Sequence, residues 1–372
     1  MVNVVLAGGG TAGHTSPLIA TAQQLATIAQ VDQVSCIGTP KGLEGRVIPD
    51  AGLQIDMIPP VPLPRRVSVD LVRVPARLVG AVRRAGEVLE ARGADVVVGF
   101  GGYVSMPAYL AARSRHVPVV VHEQNAVPGL ANKVAARFAA GVYTAFPDTP
   151  LPGAEFIGMP LRDNVAELAS LDEQDRAERR RRTRREFGLD EDRPTLLVSG
   201  GSQGAVSVNT AVIHARGQLL ADGVQVLHVL GPRNMADAIT HTDDGTGARW
   251  VPVAYVDDMA RAYAAADLMV ARSGAGTVVE TAVCGLPTIY VPLPHGNGEQ
   301  ARNASSVVAA GGGVLIRDDE LNVTRLLREV ARIHHPDELA RMSMAGRDLM
   351  STQAAHNLAQ AVASAATRRR KK

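Results

Sequence analysis

Short apolar runs, several of them rich in valine, recur along the first half of the chain and alternate with segments of helical periodicity. The run Val2–Ala7 ends at three glycines and predicts a buried strand, and residues 17–29 predict the helix that follows it. Further strands are predicted at 34–37, 95–99, 117–122, 142–145 and 155–157, with a helix at 106–115. Repeated β-α-β units of this kind indicate a mostly parallel, doubly wound sheet.

The second half of the chain repeats the pattern after a highly charged interruption. Residues 162–192, which include the arginine-rich run 176–185, are charged nearly throughout and favour a solvated helix with its linker. Strands are then predicted at 195–199, 224–230, 250–253, 268–271 and 288–291, and helices at 206–220, 259–265, 278–284, 300–310 and 352–366. We therefore predict an α/β chain with two Rossmann-like doubly wound domains, residues 1–163 and 164–349, facing across a ligand cleft.

Composition narrows the class of protein. With 372 residues the chain is long enough for two domains, and 46% hydrophobic residues suffice for sizeable cores. The formal net charge of +2 argues against a protein made to bind nucleic acid. Cys36 and Cys284 stand in apolar runs, so we expect buried thiols in a reducing compartment. We expect no signal peptide, because the N-terminus has no basic region and no long apolar region, and no transmembrane helix, because no apolar stretch approaches ~18 residues. We therefore expect a cytosolic chain that could still bind a membrane surface.

Three glycine-rich loops stand between a predicted strand and a predicted helix, at residues 8–14, 99–105 and 199–205. Glycines let the backbone approach a ligand, and the following helix N-terminus offers free N–H groups to an anion. Gly8, Gly10 and Gly13 match G-x-G-x-x-G, but the second strand ends in IGTPK without the acidic residue that a dinucleotide site needs. The three loops together, with Ser202 and Gln203 as side-chain donors, favour a site for a diphosphate and sugar hydroxyls.

Polar residues also cluster at the ends of predicted strands, where α/β proteins bind ligands. HEQN at 122–125 follows one strand, SGAGTVVE at 273–280 follows another, and HGNGEQ at 295–300 precedes a helix. The second of these segments predicts either a capped helix start or a nucleotide site in which Glu280 accepts two ribose hydroxyls. We expect no metal centre, because Asp257 and Asp258 more simply cap a helix. The pair His334–His335 is expected at the surface.

The motifs GGTAGH at 9–14, GGYVS at 101–105, HEQN at 122–125, GGSQGA at 200–205, RSGAGTVVE at 272–280 and GNGEQ at 296–300 resemble, in this order, those of the MurG family. Its members are UDP-N-acetylglucosamine:N-acetylmuramyl-(pentapeptide) pyrophosphoryl-undecaprenol N-acetylglucosamine transferases. The resemblance implies the GT-B fold, in which the C-terminal helix, here 350–372, joins the first domain. Ala12 and Met106 stand where glycines are usual, and the run 176–185 looks like an insertion.

The resemblance also implies the reaction. The family moves GlcNAc from UDP-GlcNAc to the 4-hydroxyl of MurNAc in lipid I, with inversion, and gives lipid II without a cofactor. His14 is our first candidate for the general base, although it could instead cap a helix or position a phosphate. Glu123 is the second candidate, although its role could be limited to orienting the acceptor. The implied substrate-binding residues are Thr11, Ala12, Gly13, Asn125, Arg162, Ser202, Gln203, Val256, Ala275, Gly276, Thr277, Val278, Val279, Glu280, Glu299 and Gln300.

A lipid acceptor requires contact with the bilayer. Residues 61–92 combine arginines with apolar residues and could bind the anionic inner leaflet, or they could form an ordinary helix with its apolar face in the core. The tail RRRKK could help electrostatically. We therefore predict a peripheral enzyme on the cytoplasmic face of the membrane. Three alternatives stay open: another GT-B UDP-sugar enzyme such as an epimerase or one with a soluble acceptor, a nucleotide-binding oxidoreductase, and a non-catalytic UDP-sugar sensor.

Overall fold

A computed structural model describes residues 1–40, 42–61, 69–201, 205–236, 238–295 and 297–370, with the backbone alone at 69–72 and 370. The strands are β1 Val2–Ala7, β2 Val31–Gly38, β3 Gln54–Met57, β4 Val96–Gly99, β5 Val119–Glu123, β6 Gly141–Thr144, β7 Ala154–Phe156, β8 Thr195–Ser199, β9 Gln225–Val229, β10 His241–Thr242, β11 Arg249–Val253, β12 Leu268–Ala271, β13 Thr288–Tyr290 and β14 Gly313–Leu315. The α-helices are α1 Ala12–Ala26, α2 Glu44–Asp50, α3 Val69–Ala91, α4 Gly102–Ser114, α5 Leu130–Ala135, α6 Asp163–Ser170, α7 Glu173–Glu186, α8 Val206–Ala221, α9 Met259–Ala265, α10 Ala275–Cys284, α11 Glu299–Ala309, α12 Val323–Ile333, α13 Pro336–Leu349 and α14 Ala354–Arg370.

The chain divides into two compact units. Unit 1 is Met1–Arg162 with Thr352–Lys372, and unit 2 is Asp163–Ser351. Each unit is built on one seven-stranded sheet, with the order β3-β2-β1-β4-β5-β6-β7 in unit 1 and β10-β11-β9-β8-β12-β13-β14 in unit 2. The strand pairs are parallel except β10 with β11. The predicted α/β class with two Rossmann-like domains is therefore confirmed.

The valine runs follow from a sheet that is covered on both faces. In β1 the side chains of Val4 and Leu6 pack in one buried cluster, while those of Val5 and Ala7 pack in another on the opposite face. Because successive residues of a strand point to opposite faces, a strand buried on both sides is apolar at every position. The carboxyl ends of such strands are where polar residues can first reach solvent.

Helix α14 belongs to unit 1 although it ends the chain. Its side chains Leu358 and Val362 are fully buried and share a cluster with Leu18 and Leu25 of α1. The apolar face of this helix therefore covers one side of the unit 1 sheet.

The charged segment after residue 162 differs from the prediction of a merely solvated helix. It forms α6 and α7 of unit 2, and two arginines of α7 bind other elements of that unit. Arg184 is 3% exposed and donates to the carbonyls of Ala265 and Glu191 and to Asp267. Arg176 donates to three further carbonyls, those of Cys284, Ala169 and Leu171. A long guanidinium stem can bury its methylenes and still satisfy its N–H groups, which makes part of this basic run structural.

Candidate active site

In each sheet the order in which strands are added along the chain reverses at one place, and the predicted glycine loops follow the strands on either side of it. In unit 1 the strand order runs outward from β1 to β2 and β3, then restarts on the other side at β4, so the switch point lies between β1 and β4. The loop of Gly8–Gly10 follows β1, and the loop of Gly101 and Gly102 follows β4. Open α/β sheets bind ligands at such a switch point, beyond the carboxyl ends of the strands. Two loops that are more than 90 residues apart in the sequence are thereby brought together.

The two loops touch through their backbones. A Cβ on Gly102 would lie 2.7 Å from the carbonyl oxygen of Gly9, and a Cβ on Gly101 would lie 3.5 Å from Nε2 of His14. Both glycines have positive φ, +86° at Gly101 and +78° at Gly102, which side chains rarely adopt. The GG pair of the second motif therefore serves the first loop by leaving room for the Gly9 carbonyl and the His14 ring.

His14 lies in the first turn of α1 and is half-buried. Its Nδ1 is 3.1 Å from the carbonyl oxygen of Gly9 and 3.2 Å from Oγ1 of Thr11. A carbonyl can only accept, so this contact favours the tautomer with the proton on Nδ1 and a lone pair on Nε2. Thr11, Ala12 and Gly13 are exposed at the helix start, where backbone N–H groups can meet an anion.

The HEQN segment ends β5, and its acidic residue is buried. Glu123 is 2% exposed; its Oε1 accepts from Asn125 N at 2.9 Å, and its Oε2 accepts at 2.9 Å from Gly129 N and from Nδ2 of Asn132. Burial raises the pKa of Glu123, and the hydrogen bonds from Asn125, Gly129 and Asn132 oppose that effect. Its two oxygens fix the loop that carries Asn125, which lies half-buried beside it.

His122 and His228 are buried histidines, one in each unit, whose pKa burial lowers to about 4. Nε2 of His122 contacts the Gly158 carbonyl at 2.9 Å, and Nδ1 of His228 accepts from the indole of Trp250 at 3.3 Å. Both rings are thus held neutral by their surroundings. His122 is a structural part of the HEQN motif, because a cation at that depth would lack solvation.

We predict that both histidines make the protein sensitive to acid. The unfolded chain binds these protons near pH 6.5 and the folded chain only near pH 4, so their stabilising effect is fully present above about pH 6.5. Each histidine therefore lowers the free energy of unfolding by up to about 3 kcal/mol as the pH falls to about 4. Urea unfolding between about pH 7 and about pH 5 should give a smaller pH slope for His122→Gln than for the wild type. His356→Gln, at an exposed position of α14, is the matched control and should keep the wild-type slope.

In unit 2 the switch point lies between β8 and β12. The loop after β8 holds Ser202 and Gln203, which lie outside the described residues. After β12, Gly274 precedes α10, whose first residues run from Ala275 to Val279. Ala275, Val278 and Val279 are buried, whereas Gly276, Thr277 and Glu280 are half-buried. Gly276 and Thr277 at the helix start and the carboxylate of Glu280 are therefore the parts of this motif that a ligand can reach.

The side chain of Glu280 has a fixed partner. Its Oε2 accepts a hydrogen bond from the phenol of Tyr263, which lies on α9, at 2.9 Å. Tyr263 is itself buried, at 4% exposure. The phenol holds the carboxylate in one orientation, as recognition of two vicinal hydroxyls would require.

Sequence reasoning missed the role of Arg272, the first residue of the RSGAGT motif. It is 8% exposed; Nη1 donates to the carbonyls of Val291 and Pro292 and to Asp318, and Nη2 donates to Oγ of Ser207. Arg272 thus ties the ends of β12 and β13 to the start of α8. An arginine directly after a buried strand was the available signal, but its partners are 19 to 65 residues away.

The other predicted residues of unit 2 lie at two places, the turn before α9 and the first turn of α11. Val256 is buried in the turn before α9; Asp258 caps that helix by accepting from Ala260 N at 3.0 Å, as predicted. Asp258 also accepts from Nδ2 of Asn164 at 2.6 Å. Gln300 is half-buried and accepts from Leu293 N at 2.9 Å, whereas Glu299 is exposed.

The remaining predicted residues lie on other segments of the chain. Arg162 is half-buried at the end of the first segment of unit 1. Of the predicted surface pair, His335 is exposed and His334 is half-buried. Within the described ranges, no group of three or more His, Cys, Asp and Glu side chains is placed to hold a metal ion. No helix in the same ranges combines the length and the apolar character needed to span a bilayer.

The chain is similar to known proteins over nearly its whole length. The model of the glycosyltransferase family 28 N-terminal domain matches residues 4–144, and that of the family 28 C-terminal domain matches 195–362. A protein of Cutibacterium acnes named UDP-N-acetylglucosamine–N-acetylmuramyl-(pentapeptide) pyrophosphoryl-undecaprenol N-acetylglucosamine transferase is 71% identical over 99% of this chain and 98% of its own length. A protein of the same name from a Nocardioides species is 52% identical over 97% of each chain.

Solved structures give the same result. The crystal structure of Acinetobacter baumannii MurG superposes with a TM-score of 0.78 at 28% identity, covering 97% of this chain and 99% of that one. The UDP-GlcNAc 2-epimerase of Neisseria meningitidis superposes with a TM-score of 0.65 at 12% identity, covering 97% and 98%, which shows a shared fold alone. With its glycine loops at two switch points and these relatives over almost its whole length, the chain has the GT-B fold and belongs to the MurG family of N-acetylglucosaminyltransferases.

Proposed function

We propose that this chain transfers GlcNAc from UDP-GlcNAc to the MurNAc 4-hydroxyl of lipid I with inversion, giving lipid II, and that His14 is its general base. Membership of the family makes the chain an N-acetylglucosaminyltransferase, so the oxidoreductase, epimerase and sensor alternatives are set aside. The observation that carries the role of His14 is the contact of its Nδ1 with the Gly9 carbonyl, which favours a lone pair on Nε2. A neutral imidazole near physiological pH can accept the proton of an attacking hydroxyl.

The donor nucleotide is assigned to unit 2. Gly276 and Thr277 at the start of α10 offer N–H groups to the diphosphate, and Glu280, held by Tyr263, accepts the ribose hydroxyls. Negative charge develops on the leaving UDP, and N–H groups fixed at a helix start stabilise it without reorganising. Val256 and Gln300 are assigned to the uracil and to the GlcNAc hydroxyls.

Glu123 is assigned to positioning. Both of its oxygens already accept hydrogen bonds from neighbouring backbone and amide groups, and the residue is almost fully buried. A base must reach the proton that it abstracts, which favours half-buried His14 over Glu123. In this assignment Glu123 holds the loop of Asn125 so that Asn125 can contact a substrate.

The assay that tests the function follows radiolabelled GlcNAc from UDP-GlcNAc into a water-soluble lipid I analogue. We expect a β-linked disaccharide, the inverted product, formed by the wild-type chain and dependent on the free MurNAc 4-hydroxyl. An analogue with that hydroxyl methylated is the matched control and should give no product. Tight binding of UDP-GlcNAc without transfer to the unblocked analogue would overturn the proposal.

The amino-terminal half of α3 is the proposed membrane contact. From Arg73 to Gly80 no described side chain is buried, and Val79 is 70% exposed. The second half instead places Ala85, Val88 and Leu89 in the core of unit 1. Residues 62–68, with two of the arginines noted in the sequence, lie outside the described residues. An exposed helix half that mixes arginine and valine fits an anionic lipid surface on the cytoplasmic side.

We predict that reversing charge on this helix half weakens membrane binding. Arg73→Glu with Val79→Asp should lower binding to vesicles containing anionic lipid at least about tenfold, since each basic residue near such a surface contributes about 1 kcal/mol. Transfer to the water-soluble analogue should stay near the wild-type rate. Arg182→Glu, at an exposed position of α7 in unit 2, is the matched control. Equal vesicle binding by the Arg73→Glu, Val79→Asp variant and the wild type would contradict the assignment.

A further inference from the structure

Glu44, the first residue of α2, is a fully buried carboxylate to which the proposed reaction gives no role. Its Oε2 accepts a hydrogen bond from Gly10 N at 2.8 Å, and its Oε1 accepts from Thr39 N at 3.1 Å and Thr39 Oγ1 at 2.8 Å. Burial of a carboxylate is tolerated where such donors replace its hydration. One oxygen of Glu44 is thereby committed to the glycine loop after β1, and the other to the end of β2.

Three glycines make room for this carboxylate. A Cβ on Gly9 would lie 2.5 Å from Cδ of Glu44, one on Gly38 would lie 2.8 Å from its Cγ, and one on Gly42 would overlap the carboxylate. These distances are too short for real Cβ contacts, so any side chain at these positions would displace Glu44. Gly9 belongs to the GGTAGH motif, and one reason for a glycine there is therefore the side chain of Glu44.

The loop that Glu44 holds also orients His14. Gly10, whose N–H Glu44 binds, has φ of +89° and directly follows Gly9, whose carbonyl contacts Nδ1 of His14. The peptide unit between Gly9 and Gly10 is planar, so fixing the N–H of Gly10 also fixes the carbonyl of Gly9 on the same plane. One peptide group thus joins the buried carboxylate on one side to the imidazole on the other.

The same carboxylate connects to the second glycine motif. The Thr39 hydroxyl that donates to Glu44 lies 3.4 Å from the phenol oxygen of Tyr103, and a Cβ on Gly10 would lie 3.3 Å from a ring carbon of Tyr103. Tyr103 follows the GG pair that faces the Gly9 carbonyl. Glu44 is therefore linked to both loops that contact His14, directly through Gly10 and indirectly through Thr39 and Tyr103.

We infer that Glu44 is a positioning residue for GlcNAc transfer: it fixes the Gly9–Gly10 peptide so that the Gly9 carbonyl holds the His14 ring with Nε2 ready to accept a proton. The inference rests on the proposed function of His14. Glu44 itself touches no substrate, and its effect passes through one peptide group to the imidazole. Its loss should therefore slow the chemical step rather than weaken donor binding.

Glu44→Gln tests this role, because it keeps the size of the side chain and removes one acceptor. The amide NH2 would face either the N–H of Gly10 or the donors of Thr39, so one anchor is lost. We expect kcat for transfer to the soluble lipid I analogue to fall at least about tenfold with the KM for UDP-GlcNAc within about threefold of wild type. In a His14→Ala background the same substitution should cost no more than about twofold, because the group that it positions is gone.

Glu155→Gln, at an exposed position of β7 in unit 1, is the matched control and should behave as wild type in both backgrounds. Thermal unfolding identifies the variants that keep the fold. If Glu44→Gln does not fold, Thr39→Val takes its place in both backgrounds, because it removes one hydroxyl donor to the same carboxylate. If the wild-type chain transfers GlcNAc, two results would overturn the inference. One is an equal fractional loss of kcat on Glu44→Gln in the wild-type and His14→Ala backgrounds, and the other is an effect confined to KM. Absence of transfer by the wild-type chain would instead overturn the proposed function.

Discussion

Replacement of His14 by alanine is expected to lower kcat for GlcNAc transfer about 10²–10⁴-fold, the range that a positioned general base contributes. The affinity for UDP-GlcNAc should change little, because the donor is assigned mainly to unit 2. The physical reason is the deprotonation of the MurNAc hydroxyl, which without a base would have to proceed by transfer to water. Product formation with saturating donor and acceptor measures kcat, and calorimetric titration with UDP measures donor binding.

His14→Asn separates the base from a merely structural ring. The asparagine amide can donate to the Gly9 carbonyl as Nδ1 does, but it supplies no basic nitrogen at the position of Nε2. We expect His14→Asn to be as inactive as His14→Ala. Near-wild-type transfer by His14→Asn would mean that the ring only holds its loop, and attention would then shift to Glu123.

The parts of the site that the sequence predicts are those that depend on neighbours along the chain. Val2–Ala7 is apolar at every position because both sheet faces are covered, and the glycines after it mark where the strand ends. Apolar runs that end in glycines therefore predict the positions of the loops at both switch points. The strand predicted at 34–37 is longer in the structure, Val31–Gly38. The apolar pattern begins only after Asp32 and Gln33, because these two residues are polar and exposed.

The elements and contacts that the sequence analysis missed depend on distant partners. Strand β3, QIDM, has no clear signal in the sequence, because alternate polar residues in a four-residue strand resemble a loop. Nothing along the chain marks Glu44 as a buried residue, since its partners Gly10 and Thr39 lie on two other loops. Arg184 looked like part of a solvated run because nothing local indicates that Asp267 and the Ala265 carbonyl lie beside it. Such side chains become predictable only when the topology is known.

Glu280→Ala is expected to weaken binding of UDP-GlcNAc about 10²-fold, because the ribose would lose hydrogen bonds to a charged acceptor worth about 1.5–3 kcal/mol each. The same residue should determine selectivity for the ribose. Wild-type protein should bind UDP at least about tenfold more tightly than 2′-deoxy-UDP, and Glu280→Ala should bind the two nearly equally. Calorimetric titration with both nucleotides measures the four affinities.

Two control variants separate recognition by the carboxylate from the packing around it. Tyr263→Phe removes the phenol that orients Glu280 but keeps the carboxylate, so it should reduce the preference for UDP over 2′-deoxy-UDP without abolishing it. Glu167→Ala, at a position with a 61% exposed side chain in α6, should keep both affinities because it lies on the surface of the same unit. If Glu280→Ala weakened binding of UDP and binding of 2′-deoxy-UDP by the same factor, the carboxylate would not bind the 2′-hydroxyl. The assignment of the 2′-hydroxyl to Glu280 would then be wrong, even if GlcNAc transfer itself were lost.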